Sequence, residues 1–305
     1  MRTIVFGEND AGRRVDAFLF RLLPTAPKSL IYKYIRTGKI KIDGKKPKPE
    51  DRVLKGSELR YFGDESLLVA KPLEEKKTGD VVVLYENEHI ALLYKPTQLA
   101  SQPDERHRTD TLVDRFVAYL RKTGAYQPEK EHGFTPAICN RLDFNTSGIV
   151  IGAKTLSALR AMNEQIRKGT VRKLYICRVA GTPNPPEGTI RASLFKDTKT
   201  NISRTCDDGK KAETRYETLE SDGKTSLLEV ELFSGRSHQI RVHMQSIGHP
   251  LLGDAKYGKG GGGQALCAYK IHFAFPKEGV LSEIAGRTFC LPPAYLPKWK
   301  GETNA

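Results

Sequence analysis

The stretch NRLDFNTSG, residues 140–148, sets a single acid, Asp143, between Arg141 and a turn-forming Asn145-Thr146-Ser147-Gly148, just ahead of the apolar run Ile149-Val150-Ile151. Two fates are open to such an acid. Aspartates in turns commonly accept hydrogen bonds from the backbone of their own turn. Alternatively, the carboxylate is held out to react. If the segment is extended, Arg141 faces the same side as Asp143. That cation and the donors of residues 145–148 would keep the acid ionised. An ionised, fixed carboxylate is a nucleophile or a general base.

A second concentration of reactive side chains is RSHQIRVH, residues 236–243. Read as an alternating strand, it puts Arg236, His238 and Ile240 on one face and Arg241 and His243 on the other. A basic strand of this kind suits phosphate contacts or a structural polar ladder. Tyr175 stands in the strand-like RKLYICRVAG, where a tyrosine ordinarily serves packing.

Other chemistries find less support. His238, His243 and His249 invite a zinc reading. Positions 238 and 243 would point to opposite faces of a strand, or sit roughly 140° apart on a helix. Cys139, Cys177, Cys206, Cys267 and Cys290 are scattered, with no pair at metal-ligand spacing. There is no dinucleotide fingerprint, no phosphate-binding P-loop and no nucleophile elbow. Neither metal nor cofactor is therefore expected. The metal-dependent alternative is a nuclease built on His238, His243 and Asp254, and the non-enzymatic one is an RNA-binding protein without activity.

The elements that must position these residues can be read in outline. The chain has 305 residues, 38% hydrophobic and 28% charged, which suits one large domain or two smaller ones. A formal charge of +14 points to a polyanionic partner, most simply nucleic acid. Scattered, odd-numbered cysteines suit reduced thiols in the cytoplasm. The first residues lack a secretory pattern and no run reaches membrane-spanning length.

Val15, Phe18, Leu19 and Leu22 mark one helix, broken by Pro24 and Pro27. Ser29 is placed to cap a second, with Gly38 as its stop. KIKIDGKK then predicts a tight hairpin at Asp43-Gly44. Lys28, Lys33, Arg36, Lys39, Lys41, Lys45, Lys46 and Lys48 crowd this region, a footing for phosphate contacts. KPLEEKKTGD, residues 71–80, has linker composition.

Beyond it, two strands are expected in residues 81–96. Helices follow on Leu112, Phe116 and Leu120, and after Thr155 with Gly169 as stop. Strands are expected at 149–153, 173–181, 227–235 and 238–244, the last two flanking a turn at Ser234-Gly235. The glycine run 259–263 reads as a flexible surface loop. The sum is an α+β chain. A small helix-helix-hairpin domain, residues 1–75, precedes a large domain, residues 76–305, on an extended mixed or antiparallel sheet with a central cleft.

RLDFNTSGIVIGAK, KLYICRVAG and SGRSHQIRVHMQSIGHPLLGDAKYG resemble, in order, the three motifs of the RluA-type RNA pseudouridine synthases, and SLIYKYIRTGKIKIDGKKPK resembles an S4-type RNA-binding domain. The first resemblance covers roughly residues 80–295 and the second roughly residues 12–75. Together they imply an isomerase that converts uridine to pseudouridine within RNA, most simply 23S-type ribosomal RNA. They imply no cofactor and no obligate protein partner. Asp143 matches the catalytic aspartate, Arg241 the arginine that pairs with it, and Tyr175 the tyrosine that stacks on the base and is a candidate for handling a proton. Arg141 matches the arginine that helps displace the nucleotide, and Ile240 an apolar pocket position. Arg236, His238, Lys39 and Lys41 are further candidates for substrate contact. Two departures stand out: Asn140 and Cys267, where the family often has histidine.

Overall fold

Val15, Phe18 and Leu19 are buried on one face of α1, Val15–Leu22, against Ile31 and Ile35 of α2, Lys28–Thr37. The structure is a computed structural model that describes residues 1–68, 78–105, 107, 109–128, 134–197 and 200–299. Pro27 takes the N-cap of α2 and Ser29 lies inside its first turn, with no side-chain cap. A proline fixes φ near the helical value and gives up an N–H that a helix start does not use. Gly38 ends α2 at φ 74°.

The turn at Asp43-Gly44 forms as expected, with both residues at positive φ and Ile42 and Lys45 exchanging hydrogen bonds of 2.8 and 2.9 Å. Its second arm does not become a strand, because Pro47 and Pro49 remove ladder donors. Instead β2, Ile40–Ile42, pairs with β3, Glu58–Tyr61, which also pairs with β1, Arg2–Val5. The N-terminal unit is thus two helices on a three-stranded antiparallel sheet with its own apolar core. Of the predicted linker, residues 71–77 lie outside the described residues.

The rest is organised by one large sheet. Its strands are β4 (Val82–Glu86), β5 (Ile90–Lys95), β6 (Ala137–Ile138), β7 (Ser147–Ala153), β8 (Val171–Ala180), β9 (Glu187–Asp197), β10 (Ile202–Thr205), β11 (Lys210–Ser221), β12 (Thr225–Leu232), β13 (Leu266–Phe273) and β14 (Thr288–Cys290). They run in the order β10-β9-β11-β12-β8-β13-β7-β5-β4, with β6 beside β7 and β14 beside β13. The β13–β7 pair is parallel and the others are antiparallel, so the sheet is mixed.

Both faces of β7 are covered, which is why all seven of its residues are buried. On one side Val150 packs with Leu93 and with Phe116 and Leu120 of α3, Leu112–Lys122. On the other, Ile149 and Ile151 pack with Met162 of α4, Leu156–Lys168. Helix α3 starts in a capping box of Thr111 and Asp114, and α4 in a Thr155 cap, with Gly169 closing it at φ 75°. Gly148 brings β7 against β13 so closely that a Cβ there would lie 2.3 Å from the Ala268 carbonyl.

A further expectation, for the site itself, is overturned. HQIRVHM is not a strand but α5, Gln239–Ser246. Six consecutive residues of it, Gln239 to Met244, are buried. A helix enclosed on all sides carries no one-faced apolar stripe, and its accidental alternation imitates a strand. The glycine run is a loop, yet Gly262 and Gly263 border the central cleft, and Gly263 lies against Gly253 and Asn145. Among the described residues no helix is long and apolar enough to cross a membrane.

Candidate active site

A cavity of about 1050 Å³ opens where the loop before β7, the start of α5 and strand β8 converge. Residues 139–146 form its floor. Leu142 is buried, and the Ser101 hydroxyl clamps it by donating to the Leu142 carbonyl at 2.7 Å and accepting from its N–H at 3.0 Å. Arg141 and Asp143, on either side of it, border the cavity. Two residues beyond Leu142, the Phe144 carbonyl accepts from the buried Lys95 ammonium at 3.1 Å. Asn140 acts as an acceptor, taking the Ile151 N–H at 2.8 Å.

Asp143 does sit in a turn, but the turn uses its carbonyl, which accepts from the Thr146 N–H at 3.0 Å. Its carboxylate goes elsewhere: Oδ2 accepts from Nη1 of Arg241 at 3.2 Å. The side chain is 33% exposed, facing the cavity. Arg241 itself is locked from behind. Its Nε and Nη2 donate to the two oxygens of Asp254, each at 2.7 Å, and Asp254 is fully buried. The Lys256 and Tyr257 amides donate to Asp254 as well. Burial alone would raise the Asp254 carboxyl, but Arg241 and these amides outweigh it and hold it below the usual carboxylate range. Asp254 therefore fixes the guanidinium, and one of its remaining N–H groups reaches Asp143.

Tyr175 of β8 and Ile240 of α5 supply an aromatic and an apolar wall. Burial, and then the negative charge of Asp143, push the Tyr175 hydroxyl well above its usual value, so it keeps its proton at neutral pH. Lys173, two residues earlier on the same strand, also borders the cavity, and burial lowers its ammonium.

His238 is the N-cap of α5 in a left-handed conformation, φ 54°. Its Nδ1 is 2.7 Å from the Tyr257 hydroxyl and its Nε2 3.9 Å from Asp143 Oδ2. Burial lowers it to about 4, with Arg241, Lys256 and Lys196 adding to the shift and Asp143 opposing it. The imidazole is neutral near pH 7. Burial likewise pulls the Lys95 ammonium down to about 7, against the charge of Asp143.

Seven of the predicted residues thus meet at one cavity: Asp143, Tyr175, Arg241, Arg141, Ile240, Arg236 and His238. Arg236 is exposed at its rim, its Nε donating to the Lys211 carbonyl at 3.1 Å. Lys39 and Lys41 do not join them; both are exposed on the N-terminal unit. The three histidines weighed for a metal have separate hydrogen-bond partners. His243 meets Thr214 at 2.9 Å, His249 the Ala180 carbonyl at 2.8 Å, and His238 Tyr257. Asp254, the acid of the nuclease alternative, has both oxygens on Arg241. Its role, and those of Lys95 and Tyr257, were not read from the sequence. The available signal was that a buried arginine needs an acid and Asp254 is the next acid after it.

The family model for RNA pseudouridylate synthase matches residues 89–246, and that for the S4 domain residues 13–59. The ribosomal large subunit pseudouridine synthase C of Escherichia coli K12 is 33% identical over 266 residues, covering 85% of this chain and 80% of its own. That of Haemophilus influenzae is 32% identical over 297 residues, covering 92% and 89%. In fold, the chain resembles human RNA pseudouridylate synthase domain containing 1. The TM-score is 0.55 at 20% identity, over 75% of this chain and 88% of that one. Human RNA pseudouridylate synthase domain containing 4 gives a TM-score of 0.51 at 19% identity, over 62% and 82%.

Proposed function

The chain belongs to the RNA pseudouridylate synthase family, enzymes that isomerise uridine to pseudouridine in RNA, and we propose that it acts on 23S-type large-subunit ribosomal RNA with Asp143 as the catalytic carboxylate. The substrate class follows the printed names of its relatives. A cytoplasmic location fits such a substrate. The division into a domain of residues 1–75 and one of residues 76–305 fits two separate sheets and apolar cores.

In the reaction the N1–C1′ bond breaks, the uracil turns, C5 bonds to C1′, and the C5 proton is exchanged for one on N1. Electrons and atoms balance without redox change or net hydrolysis. The target base first leaves its stack, at a cost of a few kcal/mol. Arg141, exposed at the cavity, fills the vacated place in the RNA. Tyr175 offers its ring, a contact worth about 1–3 kcal/mol. Its protonated hydroxyl is available to the base. Asp143 meets the ribose, either attacking C1′ or taking the C2′ proton; both roles need an ionised carboxylate with a free lone pair.

The observation that carries the reading is the contact between Asp143 and an Arg241 already neutralised by Asp254. The acid is oriented by one N–H and otherwise left open to the cavity. Asp143→Asn should abolish pseudouridine formation in transcripts of the ribosomal RNA, mapped chemically. RNA affinity and Tm should stay near wild type. Modification by the Asn variant would remove Asp143 from the chemistry.

A further inference from the structure

Away from the cavity, where the N-terminal unit meets α4, four arginines border a depression of about 390 Å³: Arg13, Arg14, Arg52 and Arg160. The unit and the helix are joined at this point. Asn9 Oδ1 accepts from the Leu156 N–H at 3.0 Å, and Arg160 Nη1 reaches the Ala11 carbonyl at 3.5 Å. The N-terminal side is held by backbone. Gly12 N–H donates to the Val53 carbonyl and Val53 N–H to that of Arg13, both at 2.9 Å. Arg14 and Arg52 face each other across a β-bridge, and Arg52 Nη1 donates to the Gly12 carbonyl at 2.7 Å. Gly12, at φ 73°, leaves room for Arg160: a Cβ there would lie 3.1 Å from its Nη1.

The charge is not balanced. Asp16 pairs with Arg14 at 2.7 Å, and Asp10 acts on Arg13. Glu50 also acts on Arg14, so three acids stand against the four arginines and Arg21, which is near Arg13. Arg13 Nε is buried without a hydrogen-bond partner. Burial lowers the Arg13 guanidinium from its ordinary value, and Arg21 and Arg160 lower it further. Holding cations together in this way is unfavourable in the free protein, and an anion seated among them would reverse the sign. Guanidinium forks fit the oxygens of a phosphate. The site is separate from the lysines of α2 and its turn, and from the cavity around Asp143.

We propose that this junction is a second phosphate site, which seats one backbone phosphodiester of the substrate RNA between the N-terminal unit and α4. A phosphate gripped from both sides fixes how far along the RNA the cavity lies from the N-terminal unit. The proposal rests on the reading that the substrate is a long RNA.

The test uses the full chain and two variants, R160Q, on an exposed position of α4, and R13Q/R160Q. Inorganic phosphate, titrated at constant ionic strength, should raise the Tm of the wild type and not that of R13Q/R160Q. Without phosphate, the double variant should melt no lower than wild type, since repulsion is relieved. KM for a long ribosomal RNA fragment should rise about threefold in R160Q and about tenfold in the double variant, with kcat unchanged. The log KM–log salt slope should become shallower by about 1. A stem-loop too short to reach the junction should show no change. Wild-type KM and salt slope in both variants would overturn the proposal. Stabilisation by phosphate together with unchanged RNA kinetics would also overturn it, by making the site one for a free anion. A wild type that forms no pseudouridine in any ribosomal transcript would sink the proposed function instead.

Discussion

Two aspartates share one arginine, and what separates their roles is how many donors each receives. Asp254 takes two guanidinium N–H groups and two backbone amides and is fully buried. Asp143 takes one N–H and stays open to the cavity. The first is saturated and holds the guanidinium, whereas the second keeps lone pairs open to the cavity. Asp254→Asn should therefore damage both stability and rate. Removing one partner of a buried ion pair costs about 3–5 kcal/mol. The loosened guanidinium would also misplace Asp143, for a loss of about 10²-fold in kcat. Calorimetry and single-turnover kinetics check this, and a variant as stable and fast as wild type would refute the arrangement. Tyr175→Phe separates ring from hydroxyl. KM should stay within about threefold, because the stacking face remains. The rate should fall by about 10²–10⁴-fold if the hydroxyl moves a proton, and an unchanged rate would leave Tyr175 a platform only.

Helix α5 and its N-cap present three site residues, His238, Ile240 and Arg241, and form the element least legible in the sequence. Helices α3 and α4 were readable because each buries one face: Leu112, Phe116 and Leu120 recur at helical spacing in α3, as do Leu156, Leu159 and Met162 in α4, which also has a Thr155 cap and a Gly169 stop. The loop that carries Asp143 was readable from its turn-formers and the apolar strand after it, but those local signals leave a turn aspartate equally open, and only the resemblance of the longer motif singles the residue out. In α5 every position from Gln239 to Met244 is buried, so the pattern that reports a helix is erased. The partner of Arg241 also lies 13 residues on, past a turn, where spacing says nothing about contact. The same burial gives α5 a dependence on pH. His238 and His243 are both lowered from 6.5 to about 4, chiefly by burial. The unfolded chain therefore binds protons that the folded one refuses between those values, and stability falls as pH drops through 6.5 toward 4. We expect Tm to decline steadily from pH 6.5 to 5, above the range where carboxylates dominate. His243→Gln, which removes one of the two groups, should roughly halve that decline. A Tm that does not change over this range would mean that neither imidazole is held neutral.

At the scale of the whole molecule the question is how a +14 chain divides its charge between gripping RNA and acting on it. Asp143 and its partners use little of that charge, because Arg241 is cancelled by Asp254. On the N-terminal unit the eight basic residues from Lys28 to Lys48 expected to contact phosphate are all exposed on α2, β2 and the turns that follow them. Each phosphate neutralised there releases counterions, contributing about 0.7–0.9 to the salt slope. Lys39→Glu, Lys41→Glu and Lys45→Glu together should raise KM for a long ribosomal RNA fragment at least tenfold at physiological salt. They should flatten the log–log salt dependence by about 2. The kcat should not move, since none of the three lies at the cavity, and a short stem-loop should be modified as by wild type. The triple variant should keep the phosphate-dependent rise in Tm, because the arginines of the junction are untouched. If KM for long RNA is unchanged, the lysines form only a solvated surface, and the affinity of the enzyme for RNA must arise at the cavity and the junction alone.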